Sequence, residues 1–169
     1  MKLNINDEMV GTKRIEPLNY KKIKVRSSEY ESMAWPSQTL SQMMTTCLSD
    51  DGIGLAAPQI GVFKRIFIIR DFETLGSLEN TFSVFVNPKW TALKDDGKST
   101  SVEGCLSVPG QCFEVERWNT IDAEWWDWDD LGGAPVKKAA RFSGYKARIF
   151  QHEFQHLNAI SIVDVGTPG

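Results

Sequence analysis

The chain has 169 residues, 41% hydrophobic and 24% charged, with Lys+Arg 19 against Asp+Glu 22 for a net charge of −3. This is ordinary globular composition, long enough to bury a core without disulfides and lacking the basic excess of a nucleic-acid binder. No window nears the ~18 apolar residues of a membrane span. Residues 1–8 resemble neither a secretion signal nor a transit peptide, and cysteines at 47, 105 and 112 suggest no disulfide framework, so a reducing, cytoplasmic setting is expected.

Residues 1–36 are polar and aperiodic; the basic run 20–26 (YKKIKVR) reads as a solvated strand or loop. The first periodic element is a helix over 38–49, where Leu40, Met43, Met44, Cys47 and Leu48 make one apolar face. Ser37 is its expected N-cap, Asp50-Asp51-Gly52 its end, and Cys47 a core residue. Strands are expected at 65–70 (RIFIIR) and 82–86 (FSVFV), from their β-branched and aromatic content. The stretch 95–100 reads as a loop, 112–117 and 119–126 alternate as strands, 127–133 (DWDDLGG) reads as a hairpin loop, and 135–141 as a strand. Trp125, Trp126 and Trp128 are expected to pack in that hairpin. A helix over 144–158, with Ser143 as N-cap, carries one stripe of Phe150, Phe154 and Leu157 and another of Tyr145, Ile149, His152 and His156. The layout is α+β.

The two histidines of the chain, His152 and His156, stand four apart on that helix, so both imidazoles reach one ion. Glu153 between them can touch water there without coordinating, which is the H-E-x-x-H pattern of metal hydrolases. A catalytic centre usually has three protein ligands and one open position. The downstream sequence offers only Asp164 and no further His, so the third ligand is expected upstream, with Cys105 in EGCLSVPG (103–110) the best candidate. A third segment, GIGLAAPQIG (52–61), is nearly all small residues around one polar side chain, Gln59, whose amide needs partners if buried.

GIGLAAPQIG, EGCLSVPG and QHEFQH together resemble, in order and spacing, the three signature motifs of the peptide deformylases, over residues from about 38 to 160. The resemblance implies antiparallel β-sheets packed around a central helix carrying H-E-x-x-H, in a single catalytic domain spanning 1–169, with 158–169 a short C-terminal tail. It implies one divalent metal on Cys105, His152 and His156, Fe2+ in the cell and Zn2+, Ni2+ or Co2+ in purified protein. It further implies that Glu153 is the general base, and that the Gln59 amide and the Leu106 N–H donate to the oxyanion. Gly54 would bind the substrate backbone, and Ile53 and Ile149 would line the methionine pocket. The implied reaction removes the N-formyl group from the N-terminal methionine of nascent polypeptides and releases formate.

Two positions depart from the family pattern: Gln155 stands where Asp is usual, with Arg117 the partner that an acid there would have, and Cys112 stands where many members carry Arg and is expected simply to pack. The short tail is similar to deformylases of bacteriophages and some organellar forms and lacks the usual C-terminal helix linked to ribosome docking. The expected partners are N-formylmethionyl peptides of nascent chains, with ribosome contact left open, no nucleic acid and no membrane, and the expected state is a monomer. Two other readings are a deformylase-like binding module without activity and a zinc endopeptidase using the same H-E-x-x-H.

Overall fold

The structure is a computed structural model and describes residues 2–4, 25–71, 81–129 and 133–169. In chain order its elements are β1 (Lys2–Asn4), α1 (Ser37–Ser49), β2 (Gly54–Ala56), β3 (Ile66–Arg70), β4 (Thr81–Ala92), β5 (Lys98–Gly104), β6 (Cys112–Trp118), β7 (Thr120–Trp128), β8 (Pro135–Ser143), α2 (Gly144–Leu157), α3 (Ile162–Val165) and β9 (Thr167–Pro168). Antiparallel pairing joins β2-β3-β4-β7-β8 into one sheet, with β1 added along β4, and β5-β6-β9 into a smaller one.

The larger sheet lies between the two long helices. Successive side chains of a strand point to opposite faces. Ile66 and Ile68 of β3 and Val84 and Val86 of β4 therefore meet Leu40, Met43, Met44 and Cys47 of α1 on one side. Phe67, Ile69 and Phe85 meet Ala147, Ile149, Phe150 and Leu157 of α2 on the other. A strand buried on both faces reads as a continuous apolar run, which is why RIFIIR shows no alternation. Phe85 is the hub of the α2 side, with ring centroids 4.9 Å from Phe67 and Trp125 and 5.2 Å from Phe150.

β4 changes register against β7 between Val86 and Lys89. Asn87 sits there with φ 48, and its amide accepts from the Tyr30 N–H and donates to the Tyr30 carbonyl at 2.8 and 2.9 Å. An Asn tolerates this left-handed backbone, and the bulge turns β4 across the sheet.

Both expected helices and the α+β layout are present, with several local differences. Pro36, not Ser37, occupies the N-cap of α1, and the Ser37 N–H bonds to the Trp35 carbonyl. Ser143 has the extended backbone of an N-cap but makes no side-chain capping bond. Only part of 95–100 is a turn, because Lys98 already begins β5, whose residues are exposed except Glu103. The expected tail is not a loose end: α3 and β9 fold back, and β9 pairs with β6 through Phe113↔Pro168 and Glu114↔Thr167. Trp125 and Trp128 are buried, on opposite faces of the sheet, and Trp126 is exposed. Residues 20–24 of the basic run and 130–132 of the hairpin loop lie outside the described residues.

Candidate metal centre

Helix α2 packs its apolar stripe into the sheet and turns His152 and His156 toward the turn that follows β5. Their rings are one helical turn apart, with centroids 5.0 Å from each other. Cys105 leaves β5 in a tight turn closed by the Val108 N–H on the Cys105 carbonyl at 2.9 Å. Its Sγ lies 3.4 Å from His156 Nε2, and the donor atoms of Cys105, His152 and His156 all fall within 4.8 Å of one another. Among the described residues this is the one such group.

The surrounding polar side chains hold these donors in place. Gln59 is buried in the single 3-10 turn after β2; its Oε1 accepts from the Ala56 N–H at 2.9 Å. Its Nε2 donates to Ser107 Oγ at 3.1 Å and approaches Cys105 Sγ at 3.8 Å, so the amide is aimed at the turn that carries the thiol. Glu103, the only inward residue of β5, accepts from His152 Nδ1 at 2.9 Å, which leaves Nε2 of that ring for an ion. The Arg117 guanidinium is bidentate on Glu103 at 2.6 and 2.7 Å, and its remaining arm donates to Gln155 Oε1 at 3.0 Å. The neutral Gln155 therefore keeps a hydrogen bond to Arg117, whose charge is matched by Glu103 instead.

The two buried acids are shifted in opposite directions. Glu153 is 4% exposed, its Oε2 has no hydrogen-bond partner, and burial pushes its carboxyl up to about 7 against the pull of His152 and Arg117. Burial also raises Glu103, but hydrogen bonds from His152 and Arg117 outweigh it and hold that carboxyl down near about 2. Burial holds the His156 imidazole well below its ordinary value. His152 is pushed the other way, to about 10, where hydrogen bonds to Cys105 and Glu103 overcome burial. The Cys47 thiol, sealed behind α1, is raised by burial and belongs to the core as expected.

Gln59, Cys105, His152 and Glu153 open onto a cleft of about 990 Å³ that is also lined by Ile53, Gly54, Leu106 and Ile149, with His156 buried behind it. A Cβ on Gly54 would stand 2.7 Å from Glu153 Oε1, and one on Gly52 would stand 2.8 Å from Leu106 Cδ1. The small residues of GIGLAAPQIG are thus explained at both positions by close approach of the chemistry-bearing segments. Tyr145 does not join the buried stripe with Ile149; it is exposed and stands at the cleft wall. Cys112 is likewise exposed at the cleft rim, not packed, because its strand turns Phe113 and Val115 inward instead.

Residues 12–168 match the sequence model of the polypeptide deformylase family. The chain belongs to that family. A peptide deformylase of Halothermothrix orenii is 38% identical over 125 residues, 74% of this chain and 73% of the relative. A Synechococcus elongatus peptide deformylase in complex with actinonin superposes with a TM-score of 0.74 at 32% identity, covering 90% of this chain and 77% of that one. The Thermotoga maritima peptide deformylase gives 0.74 at 29% identity, covering 94% and 100%. This deformylase is accordingly a metal-dependent hydrolase, and its fold of antiparallel sheets and helices is that of the family. Its donor set fits a divalent ion: one thiol and two imidazoles converge, and the unpartnered Glu153 oxygen lies in the same cleft.

Sequence reasoning did not single out Arg148, which donates to Glu103 Oε1 at 2.8 Å, or Ser107, which receives the Gln59 amide. Arg148 could have been noticed: it lies four residues before His152, hence on the same helical face, between the apolar Ala147 and Ile149.

Proposed function

We propose that this deformylase hydrolyses the formamide of N-formylmethionyl peptides with Cys105, His152 and His156 holding one divalent cation. The convergence of those three donors beside the orphaned oxygen of Glu153 carries the reading. When bound, the cation supplies Lewis acidity toward a carbonyl oxygen and lowers the pKa of water. Glu153 Oε2, free of other partners, takes the proton of the attacking water and returns it to the leaving amine. The Gln59 amide and the Leu106 N–H donate to the carbonyl oxygen as it gains charge. Supporting this is the position of Gln59, fixed by Ala56 and Ser107 so that its NH2 stays at the Cys105 turn. Gly54 at the end of edge strand β2 offers its main chain to an extended peptide, and Ile53 and Ile149 form apolar walls for the methionine side chain.

Ferrous iron is the cation proposed for the cell because the family typically uses it, with zinc, nickel or cobalt accepted in purified protein, where affinity order favours zinc over iron. The whole chain is read as one catalytic domain acting as a monomer in the cytoplasm. No helix among the described residues is long and apolar enough to cross a membrane. Formate release from a short formyl-Met peptide, with protein prepared without oxygen and its metal quantified, tests the reading. Activity that disappears in Glu153→Ala while metal remains bound supports it. No release from metal-loaded, folded wild type overturns it in favour of a binding module.

A further inference from the structure

We propose that Arg148 is a positioning residue for the metal centre, acting through Glu103 on His152. The inference rests on the ligand assignment above and extends it to a residue that touches neither ion nor peptide. The side chain is buried, and its hydrogen bonds go to β5 and β6. Nη1 donates to Glu103 Oε1 at 2.8 Å and to the Val115 carbonyl at 2.9 Å, and Nη2 donates to the Ser99 carbonyl at 2.8 Å.

One side chain of α2 is thereby fastened to both β5 and β6, the hairpin whose end carries Cys105. Arg148 lies one helical turn before His152, so helix, hairpin and carboxylate are fixed together on the face that bears the ligand. Glu103 is left with no freedom: Oε1 is held by Arg117 and Arg148, and Oε2 by Arg117 and the His152 ring. Arg117 ties Glu103 to β6 and to Gln155, whereas Arg148 ties it to α2 one turn before His152. Without Arg148, Glu103 Oε1 and the carbonyls of Ser99 and Val115 each lose a donor, so the strand carrying Glu103 can shift relative to the helix carrying His152. A planar fork performs this; a lysine ammonium, a point donor, reaches only part of it.

The test compares Arg148→Met, Arg148→Lys and Arg65→Met. Arg65 is an equally buried arginine that holds the other end of α2, through the Leu157 carbonyl and Asn158 Oδ1 at 3.3 and 2.9 Å, and it does not contact Glu103. Zinc affinity is measured by chelator competition, and the ring nitrogens of the two histidines are followed by 1H–15N NMR. Loss of an outer hydrogen-bond partner typically weakens metal binding 10- to 100-fold, so Arg148→Met should weaken zinc binding about tenfold. It should also shift the His152 Nδ1–H resonance and speed its exchange with solvent. Arg65→Met should lower thermal stability and leave both zinc readouts at wild-type values. If Arg148→Met fails to fold, Arg148→Lys decides the matter, since a zinc affinity below wild type supports the proposal. Wild-type zinc affinity with an unmoved His152 proton in the folded Arg148 variants overturns it, as does equal weakening in Arg65→Met. Wild-type protein whose histidine resonances ignore zinc would refute the ligand assignment itself, and the proposal with it.

Discussion

Gly54→Ala isolates the proximity of β2 to the proposed base. The built Cβ falls 2.7 Å from Glu153 Oε1, 3.1 Å from Cδ and 3.2 Å from Cγ, whereas ordinary contact begins near 3.4 Å. The backbone at Gly54 does not adopt the left-handed region, so alanine adds contact without adding backbone strain. Glu153 is 4% exposed and cannot swing into solvent, so its carboxylate must retreat by about 0.7 Å within the cleft. A misplacement of ~1 Å can cost about a hundredfold in rate, which sets the expected fall in kcat at roughly 10- to 100-fold, or about 1.5 to 3 kcal/mol of barrier. Stability should drop by no more than about 1 kcal/mol, because the clash is with the far end of one side chain. The assay is formate release across a range of formyl-Met peptide concentrations, with bound metal and thermal unfolding measured on the same samples. A kcat within twofold of wild type, with metal content equal, would refute the claim that the position of Glu153 is set by its packing against Gly54.

Cys105→Ser should lower zinc content or weaken zinc binding at least tenfold, as measured by chelator competition, since a hydroxyl is a poorer ligand than a thiolate. Phe85→Ala should destabilise the fold by about 3–5 kcal/mol in denaturant titration, because the residue is 1% exposed and its ring meets several others. Acid stability should carry the imprint of Glu103. Its folded carboxyl lies near about 2 against an ordinary 4.5, so its contribution is complete above about pH 4.5 and lost as pH falls toward 2. The shift corresponds to roughly 3 kcal/mol. Denaturant unfolding from pH 6 to 2 in the presence of a chelator should therefore show a flatter slope in Glu103→Gln than in wild type.

The legible parts of this protein are those where one physical signal dominates. α1 and α2 were readable because Leu40, Met43, Met44 and Cys47, and Phe150 and Leu157, repeat at helical spacing and are buried as that spacing demands. β3 and β4 were readable from apolar content, since both faces are covered. β5 was not, because Lys98-Ser99-Thr100-Ser101 face solvent and owe their strand to pairing with β6, which composition does not reveal. β9 was missed for the same reason: two residues pair with β6 only because α3 returns the chain to it. At the site, His152, His156 and Cys105 could be named from spacing and motif, and the structure brings their donor atoms together. The network among Glu103, Arg117, Arg148 and Gln155 joins three separate stretches, β5, β6 and α2; the family pattern points to Arg117 opposite position 155, but no local pattern announces that Glu103 meets both arginines.

The distances along the chain between the assembled groups have a consequence for how the protein comes into being. Gln59 meets Cys105 across 46 positions, Glu103 meets His152 across 49, and Cys105 meets His156 across 51. None of these pairs forms within one local element, and His156 on α2 is the last of these partners to be synthesised. During synthesis the three ligands cannot converge until α2 is available to the β5 turn, so an ion that needs all three selects for chains in which these elements have met. The centre is then an indicator of long-range assembly as well as a place of reaction, and chains that stop before α2 lack two of its three ligands.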